Sequence, residues 1–156
     1  LLSQDKYKAI ILSSLRYLVE QHCIRLYGFV IMPNHIHLLW KMCEGNQLAD
    51  VQKDFMKYTA QQIKQDLSKY HPQVLTHFKS TQKDRKYQFW ERRPFNKLLD
   101  SRTEVEEKLD YIHHNPMQGK WMLANSLEEY RFSSYSFYEL DDLNYDFLTH
   151  YMDEFV

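Results

Sequence analysis

Tyr27-Gly28-Phe29-Val30-Ile31-Met32-Pro33-Asn34-His35-Ile36-His37-Leu38 is the stretch that decides the fold. It belongs to two runs rich in β-branched and aromatic residues, 24–32 and 35–42, with Pro33-Asn34 between them. So short a break between two apolar runs predicts an antiparallel strand pair. Alternate side chains share a face of a strand, which projects His35 and His37 together and turns Ile36, Leu38 and Trp40 the other way, toward a core. Two imidazoles at that spacing can chelate one divalent ion. A lone His-x-His pair equally suits two hydrogen-bonded histidines at the rim of a sheet.

Outward from this pair the periodicity becomes helical. Ile10, Ile11, Leu15, Leu18 and Val19 predict a helix over 6–21. Leu48, Val51, Phe55, Tyr58, Thr59, Ile63 and Leu67 predict another over 47–70, stopped by His71-Pro72. Residues 73–86 read as a polar, basic loop, and 87–91 and 95–99 as short strands around Arg92-Arg93-Pro94. A helix over 102–114 follows Ser101, a capping residue with Glu104 three positions on. From Trp121 to Tyr138 the pattern is irregular, with short helical pieces. The fold class expected is α+β, with an antiparallel sheet flanked by helices.

A length of 156 residues suits one domain with a real core, and 44% apolar with 26% charged residues is a globular composition. A net charge of −1 excludes a uniformly cationic duplex-coating protein but not a local basic groove. Cys23 and Cys43 are too few for a disulfide scaffold or a four-thiolate zinc site, and read as buried small hydrophobes in a reducing compartment. No apolar run is long enough to cross a membrane and no signal peptide opens the chain, so a cytoplasmic location is expected. Aromatic residues reach 15%, which fills cores and also offers stacking faces for unpaired bases. Residues 79–97 hold seven Lys or Arg against two acids, whereas 139–156 hold six acids and no Lys or Arg. Both suit plain solvated surfaces; equally, the first suits phosphate contacts and the second an acidic tail that shields it or packs elsewhere.

The helix over 102–114 supplies a second set of chemical groups. Val105, Leu109 and Ile112 share its core face, and Tyr111 lies off that stripe, as a rim tyrosine or a reactive one, with Asn115 about 40° from it. His114 lies opposite the core as an alternative ligand, and His113 nearer to it. Two strand histidines, an off-core tyrosine and an amide one turn later suggest phosphoryl transfer. A phenol of ordinary pKa ~10 becomes a useful nucleophile beside a hard cation or a base. No phosphate-binding glycine loop is present, so nucleotide-driven chemistry is not suggested.

At these residues a resemblance appears. His35-Ile36-His37 looks like the His-hydrophobic-His motif of single-tyrosine transposases. Tyr111-Ile112-His113-His114-Asn115-Pro116 resembles the Tyr-Ile-x-x-Asn-Pro motif of the REP-associated tyrosine transposases. Phe89-Trp90-Glu91, Phe95 and Tyr130-Arg131-Phe132-Ser133-Ser134-Tyr135 are similar to further segments of that family. The resemblance implies a ferredoxin-like antiparallel sheet flanked by helices. It makes His35, His37 and Asn115 ligands of Mg2+ or Mn2+, and Tyr111 the nucleophile that forms a 5′-phosphotyrosyl link to DNA. It implies single-stranded or hairpin DNA as the substrate. The family's usual strand before the first helix is not found after Leu1 and is expected upstream. The transposase domain is then 1–138, and 139–156 an acidic, aromatic tail that docks on the domain or on a partner.

Arg92, Arg93 and Lys97 are the expected phosphate contacts, and Trp90 is either a stacking face or core. A domesticated relative that binds hairpins and cuts little is the main alternative, but it has no need of His35, His37, Tyr111 and Asn115 together. A structural zinc domain lacks a second ligand pair. Monomer and homodimer both fit the sequence.

Overall fold

The computed structural model describes residues 1–118 and 122–155, which form two compact units, 1–46 with 98–155 and 47–97. Trp121, where the irregular stretch was expected to begin, lies outside the described residues.

The first unit is built on strands β1 (Ile24–Ile31) and β2 (Ile36–Met42). They pair antiparallel in the register Val30↔His37 and Ile31↔Ile36, with an irregularity between Leu26 and Gly28. The turn between them closes with the Met32 amide donating to the His35 carbonyl at 2.8 Å. Residues 132–134 run along the other edge of β1, where the Ile31 amide donates to Phe132 O at 2.9 Å and the Ser134 amide to Phe29 O at 3.0 Å. With both edges occupied and helices packed on it, β1 is buried at seven of its eight residues. Helix α1 (Asp5–Glu20) buries Tyr7, Ile11 and Leu15. It ends in a Schellman turn, with the Cys23 amide bonded to Leu18 O and the His22 amide to Val19 O. His22 takes the left-handed position there, at φ 58°.

Helix α4 (Arg102–His114) starts where its cap predicts, with the Glu104 amide donating to Ser101 Oγ at 3.2 Å. Glu104 returns its carboxylate to the amide of Asp100 rather than to that of Ser101. Ile112 of α4 joins Val30 and Met32 in a fully buried cluster, with Leu39 and Tyr130 against it. Gly28 makes this packing close, because a Cβ there would lie 2.6 Å from Leu109 Cδ1. The acidic tail packs on the same unit. It buries Phe147 and Leu148, and the Thr149 amide donates to Leu26 O at 2.8 Å. Glu154 meets Arg25 at 2.8 Å, Lys41 at 2.9 Å and the Tyr27 hydroxyl at 2.5 Å.

In the second unit, α2 (Leu48–Tyr70) buries Val51, Phe55, Thr59, Ile63 and Leu67, the stripe predicted, while Leu48 and Tyr58 remain exposed. Pro72 restarts a short α3 (Pro72–Leu75), followed by a 3-10 turn at Thr76–Phe78, so the expected loop over 73–86 begins as helix. The short strands expected at 87–91 and 95–99 do not form. Tyr87 makes a single bridge to Lys79 and 91–98 is wholly exposed, because Pro94 lacks a donor and no alternation buries one face. The architecture is α+β, as expected, but its sheet has two full strands among the described residues, extended on one edge by the Val30–Ser133 bridge.

Two smaller expectations also change. Cys23 and Cys43 are half-buried free thiols rather than buried ones. Ile36, Leu38 and Trp40 are only half-buried.

Candidate functional site

The candidate site lies within the first unit, where β2 faces the last turn of α4. His35 just before β2 and His37 on it have ring centroids 5.0 Å apart. Tyr111 of α4 stands edge-on to His37, centroids 5.6 Å apart at 78°. Asn115, one turn on, is buried, and its Oδ1 lies 3.4 Å from His35 Nε2. All four residues expected from sequence are therefore brought together.

Ile112 and His113 are buried, whereas Tyr111 between α4 and solvent is 47% exposed. Partial burial, with the charges of His35 and Lys108 nearby, pushes the His37 imidazole down to about 4, so its lone pair is available at neutral pH. His35 Nδ1 lies 2.6 Å from Asn34 Oδ1, a contact that calls for a proton on Nδ1. Its Nε2 lies 3.4 Å from the carboxamide oxygen of Asn115, so the two polar atoms face each other across the site. With His37 these atoms make a His-His-amide donor set that could hold one divalent ion while leaving positions open. Among the described residues no group of three His, Cys, Asp or Glu side chains could hold a metal ion.

The other helical histidines take different parts. His113 is buried, with Nε2 2.7 Å from Ser134 Oγ, and burial together with His114 pushes it down to about 4. Ser134 Oγ in turn accepts from the Phe29 amide at 3.0 Å, tying α4 to β1. His114 is exposed and donates from Nδ1 to Asp110 O at 2.8 Å.

Three contributors were missed in the sequence. Asn34 reads as turn punctuation yet orients His35. Lys108 Nζ lies 4.6 Å from the centroid of the Tyr111 ring, and its position three residues before Tyr111 was the available signal. Ser134 sits in the segment 130–135, which assigns it no role by pattern alone. Of the expected DNA contacts, Arg93 and Lys97 are exposed and Arg92 donates to Gln82 at 3.3 Å. Trp90 is half-buried, its indole donating to Thr59 Oγ1 at 2.9 Å and packing 6.3 Å from Phe55.

A family profile described as "Transposase IS200 like" matches residues 2–115. Over 100 residues the chain is 25% identical to a Haemophilus influenzae protein named "Putative REP-associated tyrosine transposase", covering 64% of this chain and 53% of that protein. The chain thus matches about half the length of that relative. No solved structure matches.

Proposed function

The chain belongs to the IS200-like transposase family, and on that premise we propose that it is a metal-dependent transesterase that cleaves and rejoins single-stranded DNA near hairpins. The observation that carries this is the exposed Tyr111 ring 5.6 Å from His37, on the helix that also brings buried Asn115 to His35. Tyr111 Oη attacks a backbone phosphorus, forming a P–O bond to the phenol and breaking the bond to O3′. The phenolic proton departs and the leaving O3′ ends as a 3′-hydroxyl. A 5′-phosphotyrosyl link remains, and attack by another 3′-hydroxyl reverses the exchange without an external energy source.

His35, His37 and Asn115 would hold Mg2+ or Mn2+, which when bound supplies Lewis-acid polarisation of the scissile phosphate. Asn34 orients the His35 ring through its 2.6 Å contact. Lys108 places a cation beside the attacking ring, where negative charge develops. The Ser134–His113 contact holds α4 against β1 and so fixes the height of Tyr111.

The test is cleavage of labelled single-stranded hairpins by the wild-type chain and by Tyr111→Phe and His35→Ala/His37→Ala, with Mg2+ or Mn2+ and with chelator. A denaturant-resistant adduct is expected only with wild type and metal. Hairpin binding without an adduct under either ion would replace the transesterase by a DNA-binding relative of it.

A further inference from the structure

The second unit carries a basic groove of about 770 Å³ that the chemistry at Tyr111 does not use. One wall is α2, where Lys53, Lys57 and Lys64 fall within about 40° of one another around the axis. Ala49 and Ala60 also line that wall and leave room above the backbone. The other wall is the 84–94 segment, which contributes Arg85, Lys86 and Arg92. Six cationic side chains thus line the groove, against Asp84 and Glu91. Asp84 is committed to Arg85 at 3.0 Å and also feels the charge of Arg92, and among the described residues no carboxylate forms an ion pair with Lys53, Lys57, Lys64 or Lys86.

The walls are held together before any ligand arrives. Trp90 donates to Thr59 Oγ1 at 2.9 Å, and the Gln52 and Asn96 carboxamides exchange two hydrogen bonds of 3.1 Å each. Between the walls lies Tyr87, with Lys64 Nζ at 5.7 Å and Lys86 Nζ at 5.5 Å from its ring centroid. A row of cations on one helix face with an aromatic ring beside it, over about 16 Å of helix, matches a flexible polyanion with π-faced substituents.

We propose that this groove binds the phosphodiester backbone of single-stranded DNA, with Lys53, Lys57 and Lys64 as the phosphate contacts. The choice of DNA as the occupant rests on the transposase reading; the preference for a single-stranded polyanion rests on the groove alone. Trp90 acts here as a pin for the wall, and the lysine stripe of α2 carries the binding.

Fluorescence anisotropy of the full chain with labelled oligothymidylate, across a salt series, tests the assignment. Lys53→Gln/Lys57→Gln/Lys64→Gln should weaken binding by about tenfold or more. It should also lower the log–log salt slope by about 2, since each phosphate contact on a single strand contributes ~0.7. The corresponding triple Arg variant should keep both. All three lysines are exposed, so the melting temperature should hold for either variant. Unchanged affinity and slope in the Gln variant, or equal weakness in the Arg variant, would overturn the proposal. So would binding of oligouridylate more tightly than oligothymidylate. If wild type binds through the lysines yet forms no adduct with hairpins, the groove stands and the transesterase falls. If adducts form while the Gln variant binds normally, the reverse holds.

Discussion

Leu109 of α4 lies so close over Gly28 of β1 that a Cβ on the glycine would come within 2.6 Å of Leu109 Cδ1. The same Cβ would lie 3.3 Å from Ser134 Oγ, the hydroxyl that bonds both His113 and the Phe29 amide. Close approach at this point sets the height of the helix that carries Tyr111 and Asn115. Gly28→Ala should therefore destabilise the chain by about 1–3 kcal/mol, the usual range for an overpacked core. Adduct formation should fall further than the loss of folded protein explains. Adding Leu109→Ala should restore part of the activity, as judged by denaturant titration and adduct yield measured together.

Asn34→Ala should leave the fold intact, since Asn34 is exposed and contributes a contact to a ring rather than to the core. Loss of such an orienting partner commonly costs about 10- to 100-fold in metal affinity. The Mn2+ concentration for half-maximal adduct yield should rise accordingly, while hairpin affinity measured in chelator stays unchanged.

Glu154 ties the end of the chain to Arg25 and Lys41, and the Tyr27 hydroxyl with these cations pulls its carboxyl down to about 2. A carboxyl whose pKa is lower in the folded chain than the ordinary 4.5 contributes stability above that value, and loses it as pH falls toward 2. Glu154→Gln should melt below wild type at neutral pH, with the gap closing between about pH 4.5 and 2. Limited proteolysis should release the tail of the variant first.

His22 holds the left-handed position of the Schellman turn at φ 58°, where a glycine carries no Cβ penalty. His22→Gly should raise stability by about 0.5–1 kcal/mol, read as a higher denaturation midpoint. Adduct yield should not change.

Much of this was legible in the sequence because hydrophobic period is local. It placed α1, α2, α4, β1 and β2 within about a residue of their observed ends, and Ser101 marked the start of α4 through its own hydroxyl. It also put His35 with His37, and Tyr111 one turn from Asn115, since strand alternation and helical pitch relate near neighbours. Where aromatic residues were taken for strands at 87–91 and 95–99, local pattern misled, because Phe95 and Leu98 stay exposed and no partner strand receives them.

Only the tertiary structure decided what distant residues do to one another. It brought His35 to Asn115, gave the free edge of β1 to residues 132–134, and seated the acidic tail on Arg25 and Lys41. It also turned three lysines of α2 into one wall of a groove whose other wall begins at Asp84. Periodicity tells which face of an element is buried, but not what covers it. Gly28 carries no pattern of its own, and its importance arises from the one leucine packed above it.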